Sequence, residues 1–252
     1  MMMERAIEIF VHGFAFTRSA THPCLSEVIA PGVWVLRDAP RTHGEDRSEE
    51  YVAFGVPAAT VNRLARQYTR GHFRVCVVQS ADGPDVGIRA DFRALGYRLM
   101  TTETFMLHRL SRVEPVPEPF PVCRVTTAEQ VQLLTTAAHS RPLSLALLTG
   151  EPAPVRQYMA LDGATPVGWV TSIAVGDGAW CTGMFVQAAY RRRGIARALL
   201  TNMLRDDRAA GAAVSVLLAS HAGSALYPTV GFETLGTLLM FVPRKAHEQD
   251  AR

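Results

Sequence analysis

The chain lacks the patterns that mark a metal protein, a membrane protein or a disulfide scaffold. Only four of its 252 residues are cysteines, Cys24, Cys76, Cys123 and Cys181, and they lie far apart. No C-x-x-C pair occurs and no histidine cluster stands at zinc spacing, so no metal is expected. Cys76, Cys123 and Cys181 each fall in apolar, strand-like runs, where a reduced buried thiol is the expected state. That state points to a reducing, cytoplasmic location. No apolar stretch is long enough to span a bilayer. Charge of one sign is also scarce. The net charge is +3, and basic residues are spread along the chain except at Arg191-Arg192-Arg193. A nucleic-acid binder shows a denser basic face, so neither nucleic acid nor membrane is an expected partner.

What is present describes an ordinary globular protein, 48% hydrophobic and 19% charged. The N-terminus, Met1 to Phe16, is apolar, but Glu4, Glu8 and His12 interrupt it. It reads as an amphipathic helix with Ile7, Phe10, Val11 and Phe14 on one face, and not as a signal peptide. Prolines at 115, 117, 119 and 121 remove backbone donors and favour an extended, stiff connector. Two domains are therefore expected, over residues 1–112 and 122–252, joined by a linker at 113–121.

The second half alternates strand and helix signals. Val122 to Val125 reads as a strand, and Thr126 or Thr127 can cap the helix that follows. Helical character continues from Leu143 until Gly150. A meander of three strands, 155–161, 166–175 and 179–186, turns at Asp162-Gly163 and Asp177-Gly178. A helix follows from about Gly194 to Ala210, with Gly211 suited to its C-terminal cap. The apolar run Val214 to Ala219 reads as a buried strand. A short helix then ends at Gly231-Phe232, and a last strand covers Thr234 to Val242.

The first half carries an echo of this order. Asn62, Gly71 and Ser80 match Asn202, Gly211 and Ser220 at an offset of 140 positions, without a gap. Asp91 to Tyr97 then parallels Leu226 to Phe232 at an offset of 135. The difference falls in the Gly/Pro-bearing loop 81–90, where extra length costs little. A degenerate tandem duplication is the expectation.

The chemistry concentrates in Met184 to Leu200, where a strand runs through a turn into a helix. Helix N-termini offer unpaired N–H groups and a positive dipole end, which together bind phosphate. Gly194 and Ala196 leave the backbone accessible, and Arg191, Arg192 and Arg193 add positive charge. The same short pattern equally describes a small residue packing a helix on a sheet beside solvated arginines.

Arg191-x-x-Gly194-x-Ala196, after a strand ending in Phe185-Val186, resembles motif A of the GCN5-related N-acetyltransferase (GNAT) superfamily, Q/R-x-x-G-x-G/A. Ser224 to Phe232 resembles that family's second signature, a short helix with a tyrosine that ends in Gly-Phe. The resemblance covers about Val122 to Pro243. It departs at Ala188, where many members have proline, and at Arg192, often glycine. It implies an α/β fold with a mixed sheet, two GNAT-like domains in tandem, and a degenerate, non-catalytic N-terminal one. It also implies acetyl-coenzyme A as cosubstrate. Backbone groups of Phe185 and Val186 would pair with the pantetheine arm. Those of Arg192, Arg193, Gly194, Ile195, Ala196 and Arg197, with the Arg191 side chain, would hold the pyrophosphate. An amine would attack the thioester directly, without a covalent enzyme intermediate.

Tyr227 is the implied general acid for the departing thiolate, although a packing tyrosine fits the same place. At the matching position the first half has Phe92, which has no hydroxyl. The 140-residue offset further places Tyr51, Phe54 and Val56 where Arg191, Gly194 and Ala196 stand. Those bulkier side chains would obstruct a phosphate, so the first half is expected neither to bind acetyl-coenzyme A in this way nor to catalyse. No base is identifiable; His139, His221 or a water chain could serve. The expected acceptor is a small-molecule or protein amine, and a homodimer is left open. Two other readings stand beside the enzyme, a non-catalytic acyl-coenzyme A binder and a scaffold in which both halves have decayed.

Overall fold

The computed structural model describes residues 2–42, 44 and 46–244. In chain order its elements are helix α1 (Met2–Ser19), strands β1 (Cys24–Ala30), β2 (Val33–Asp38) and β3 (Glu49–Ala53), and helix α2 (Ala58–Tyr68). Then come β4 (Phe73–Ser80), α3 (Val86–Ala94), β5 (Tyr97–Arg109) and β6 (Val122–Arg124). After α4 (Ala128–Ala138) and α5 (Leu145–Thr149) follow β7 (Val155–Asp162), β8 (Thr165–Val175) and β9 (Gly178–Val186). The chain closes with α6 (Ile195–Ala209), β10 (Val214–Ala219) and β11 (Glu233–Pro243), with short 3-10 turns at Ala188–Tyr190 and Tyr227–Val230. The meander, both flanking helices and the last strand agree with the sequence pattern to within two residues at nearly every end. In α1 Ile7, Phe10 and Val11 are buried as expected, and Ala6, Ile9 and Ala15 are buried with them.

These elements fall into two compact units. One takes the chain through Phe105, together with Leu218–His221 and the segment from Thr234 onward. The other takes Met106–Leu217 and Ala222–Glu233. These bounds differ from the expected division at 1–112 and 122–252. Residues from Thr234 do not stay with the half that precedes them in sequence, because β11 finds its hydrogen-bond partner in β4. The two pair antiparallel from Gly236↔Ser80 to Phe241↔Val75. Gly236 makes the contact feasible, since a Cβ there would lie 2.1 Å from the Gln79 carbonyl oxygen. Nor does the proline segment separate the units. Residues 113–121 belong wholly to the second one.

In the first unit the strands run β1-β2-β3-β4-β11-β5. Strands β3 and β4 are parallel, and their ladder runs from Glu49↔Phe73 to Ala53↔Val77. Its core joins Val33, Val35, Tyr51, Val61, Phe92 and Phe241. A buried charge cluster lies in the same unit. The Asp38 carboxylate is fully buried and accepts hydrogen bonds from Arg41 Nη2 at 2.6 Å and Arg47 Nε at 2.8 Å. Burial raises its pKa, but the Arg47 and Arg41 bonds outweigh that and hold it well below the usual carboxylate range.

In the second unit the end of β5 is followed by β10-β9-β8-β7-β6. Helix α4 is started by Thr127, whose side chain accepts from the Gln130 N–H in a full capping box. Helix α6 is held to the sheet by Asp207, buried, which accepts from Arg156 Nε at 2.9 Å and Ser172 Oγ at 2.7 Å. Tyr158 adds a 2.6 Å bond to Asp206. Alternate residues of β7 thus reach α6, as a strand's two-residue period requires.

Candidate functional site

The site begins with a strand that loses its neighbour. Strands β9 and β10 are parallel and pair at Gly178↔Val214, Ala179↔Ser215 and Trp180↔Val216. That ladder stops at Trp180, six residues before β9 ends at Val186. On its other side β9 stays paired with β8, through Thr171↔Thr182, Trp169↔Phe185 and Gly168↔Val186, with a register shift between Trp169 and Thr171. Gly183, at φ +65°, sits in the shifted stretch. A bulge of this kind bends and twists the bulged strand, which accounts for the parting from β10. Main-chain groups from Cys181 to Phe185 on that edge have no partner in β10, so another extended chain could pair there.

Residues 187–194 then carry the chain into α6. Arg192 at φ +61° and Gly194 at φ +86° both take the left-handed conformation. Glycine adopts it freely, whereas an arginine there costs about 1–2 kcal/mol. Gly194 is the N-cap and no side chain caps the helix. The first helical bond is from Ala198 N–H to Gly194 O, at 3.1 Å. The N–H groups of Ile195, Ala196 and Arg197 precede it and have no partner within the helix, which is the arrangement that holds anions. Gly168 lets this helix start come close, since a Cβ there would lie 3.2 Å from Ile195 Cγ2.

A groove of about 430 Å³ gathers Val186, Arg191, Arg192, Gly194, Ile195, Ala196 and Arg197, seven of the residues expected from the sequence. Two others lie differently. The Phe185 side chain is 41% exposed and stacks on Trp169 at 4.6 Å, although its backbone belongs to the unpaired edge. Arg193 places its guanidinium 5.3 Å from the Tyr190 ring centre. Arg191 Nε donates to the Val186 carbonyl at 3.1 Å and so ties the turn to the strand end.

Sequence reasoning missed Tyr190, Leu226 and Thr229, which also line the groove. The last two flank the tyrosine of the second motif, a signal that was available. It also missed the proline segment's place. Glu118 accepts from Asn202 Nδ2 at 2.7 Å, and Phe120 meets the Tyr190 ring edge-on at 5.7 Å. The segment expected to be a spacer is strapped along the start of α6.

Tyr227 opens the 3-10 turn and is 8% exposed, its ring edge-on to Phe232 at 5.7 Å. Burial, reinforced by the neighbouring Cys181, pushes its phenol up, so it stays protonated at neutral pH. Burial, with Asp207 adding to it, pushes the Cys181 thiol up as well, so it is a neutral side chain and no nucleophile. His139 is the exposed left-handed cap of α4, and His221 is exposed after β10. Among the described residues no cluster could hold a metal, and no helix is long and apolar enough to cross a membrane.

The corresponding turn of the first half is built differently, and the 140-residue offset fails there. Tyr51 is not in a turn at all; it lies within β3, fully buried, and donates to Glu49 at 2.9 Å. The connection from β3 to α2 is residues 54–57, half the length of residues 187–194. Its N-cap is Pro57, which has no N–H. Strand β3 stays paired with β4 to its last residue, Ala53. Phe92 lies within α3, whereas Tyr227 opens a 3-10 turn. Phe92 is buried edge-on to Tyr97 at 5.4 Å and stacked on Phe241 at 4.5 Å.

Residues 154–234, which contain the expected cofactor-binding residues and Tyr227, match the family described as the acetyltransferase (GNAT) domain. None of the curated proteins matches the chain. Among solved structures, a GCN5-related N-acetyltransferase from Kribbella flavida is 16% identical with a TM-score of 0.66, covering 98% of this chain and 98% of its own. A GCN5-related N-acetyltransferase-like protein from Streptococcus suis is 14% identical with a TM-score of 0.54, covering 95% and 99%. A tandem GNAT protein from the clavulanic acid biosynthesis pathway is 17% identical with a TM-score of 0.51, covering 83% and 78%. In fold over nearly its whole length, and in sequence over residues 154–234, the chain is similar to the GCN5-related acetyltransferases.

Proposed function

We propose that the second unit binds acetyl-coenzyme A and transfers its acetyl group directly to an amine. The observation that carries this reading is the parting of β9 from β10 after Trp180, ending at the uncapped start of α6. An extended pantetheine arm suits the free edge from Cys181 to Val186, and a pyrophosphate suits the N–H groups from Arg192 to Arg197 with the Arg191 and Arg192 side chains. The amine nitrogen attacks the thioester carbonyl, the carbon–sulfur bond breaks, and the thiolate takes a proton from Tyr227. The N–H near Val186 is placed to stabilise the intervening oxyanion. The amine's own proton leaves to water or an unassigned base, and Tyr227 regains a proton from solvent. Much of the acceleration comes from holding the two reactants together.

The two halves are read as a tandem duplication whose first copy has lost the cofactor site. Support comes from the matched aromatic pairs, Phe92 with Tyr97 and Tyr227 with Phe232, each followed or preceded by a left-handed glycine, Gly96 and Gly231. The acceptor is the amine of a small molecule or a protein, in the cytoplasm. A thermal-shift titration with acetyl-coenzyme A, followed by assay of thiol release with a panel of primary amines, tests the reading. Saturable stabilisation and amine-dependent release are expected. A chain that neither binds acetyl-coenzyme A saturably nor gains stability from it sinks the reading.

A further inference from the structure

We propose that His108, from the strand that closes the N-terminal half in sequence, is the positioning residue that holds Tyr227 and its turn in place. The inference rests on the reading of Tyr227 as the acid. His108 is 3% exposed near the end of β5, a costly place for an imidazole. Its ring lies edge-on to Phe232 at 5.4 Å, and Phe232 in turn lies edge-on to Tyr227 at 5.7 Å. Gly231 makes room for it, since a Cβ there would lie 2.8 Å from His108 Nε2. Nδ1 is buried without a partner among the described residues, so Nε2, the nitrogen beside Gly231, is the one placed to donate toward the Val230 backbone.

The turn needs such an anchor. Tyr227–Val230 is a single 3-10 turn, with Thr229 N–H bonded to Leu226 O at 3.0 Å and Phe232 N–H bonded to Tyr227 O at 3.2 Å. Helices this short have poor internal geometry and are placed by what they pack against. An apolar side chain would fill the space under Phe232 more cheaply than histidine, which leaves one nitrogen unsatisfied. What histidine adds is a donor to the carbonyl that ends the turn. Fixing that carbonyl fixes the direction in which the phenol leaves the turn.

The test compares His108→Leu, His108→Gln, Tyr227→Phe and the double variant His108→Leu/Tyr227→Phe, each first checked by thermal melting. Thiol release from acetyl-coenzyme A is followed with the amine that gives the highest wild-type rate, or with water where no amine does. We expect His108→Leu to lower kcat about tenfold, the order that small misplacements of a reacting group cost, with KM for acetyl-coenzyme A within about twofold. His108→Gln, which keeps an N–H, recovers most of that loss. The double variant is no slower than Tyr227→Phe alone, because a residue acting only through Tyr227 has nothing left to position. A slow Tyr227→Phe with an unimpaired His108→Leu overturns the proposal, as does a double variant whose losses multiply. If His108→Leu does not fold, a His108→Gln variant that folds and is as slow as Tyr227→Phe overturns it. A Tyr227→Phe variant at wild-type rate, or a wild type without thiol release, instead sinks the reading of Tyr227 beneath it.

Discussion

Two segments of this chain are made of the same parts, a strand, a turn, a helix and a parallel strand: β3–α2–β4 and β9–α6–β10. In the first, the parallel ladder holds to the last residue of β3 and residues 54–57 carry the chain directly into the helix through Pro57. In the second, the ladder opens after Trp180, and residues 187–194 wind through two left-handed positions before an uncapped helix start. The secondary structure is therefore no guide to which segment carries a site. What separates them is whether main-chain donors are consumed by the fold or left over. The closed ladder uses those of β3 to its last residue, whereas the parting of β9 from β10 leaves those after Trp180 unused on that side; both helix starts lack a side-chain cap and both turns hold a left-handed glycine.

The largest effect should come from the unit without the open cleft. Asp38→Asn strips the partner of Arg41 and Arg47 and should cost about 3–5 kcal/mol in urea unfolding, the range for a broken buried ion pair. The carboxyl is depressed in the fold, so its stabilising contribution is complete above the ordinary carboxylate pKa of about 3.9 and is lost as pH falls toward its lower folded value. The variant should lose that part of the acid dependence. A variant as stable as the wild type would remove the cluster from the account of that unit.

Next in size is the hydroxyl that distinguishes Tyr227 from Phe92. Tyr227→Phe should lower kcat about 10²-fold, in the range of a lost general acid, with acetyl-coenzyme A affinity unchanged by calorimetry. The reciprocal Phe92→Tyr should create no turnover. It adds a hydroxyl to a buried ring stacked on Phe241 and should cost about 1–3 kcal/mol of stability. Activity gained by Phe92→Tyr would break the comparison outright.

Smaller again is a matched pair of glycines. Gly194 at φ +86° and Gly55 at φ +67° both lie between strand and helix, and a Cβ would have no close steric conflict at either. Alanine should cost about 1–2 kcal/mol of backbone strain at each. At Gly55 it should appear as lost stability alone; at Gly194 it should also weaken acetyl-coenzyme A binding about tenfold. Equal affinity in the two variants would argue against the second turn as the phosphate cradle.

The smallest effect is expected from His108. Burial lowers its pKa, opposed by the Val230 bond and Glu233, so the fold favours the neutral ring. Stability is then full above the ordinary histidine pKa of about 6.5 and declines as pH falls below it. Replacing His108 with Gln should flatten that decline in melting curves taken between pH 5 and pH 7, roughly the span over which histidine titrates.

The sequence by itself determined the local elements and the most informative turn. The three-strand meander follows from alternating runs broken at Asp162-Gly163 and near Asp177, and α6 follows from its apolar period closed by Gly211. The turn from Arg191 to Ala196 was legible because a strand running through a glycine turn into a helix is a local object, made from consecutive residues. Tyr227 was legible for the same reason. Tertiary structure alone decided what depends on partners distant in the chain. No local signal said that β11 would pair with β4, that the proline segment would lie along α6, or that His108 would stand beneath Gly231. Nor did the offset between the halves reveal that Tyr51 is a strand residue, because a shortened turn moves side chains without changing the pattern around them. Strand pairing is chosen by which edges are free once the sheet assembles, and that choice involves residues more than a hundred positions apart. It is also where this cleft comes from, since β9 parts from β10 after Trp180, while still paired with β8, only once its partners have been chosen.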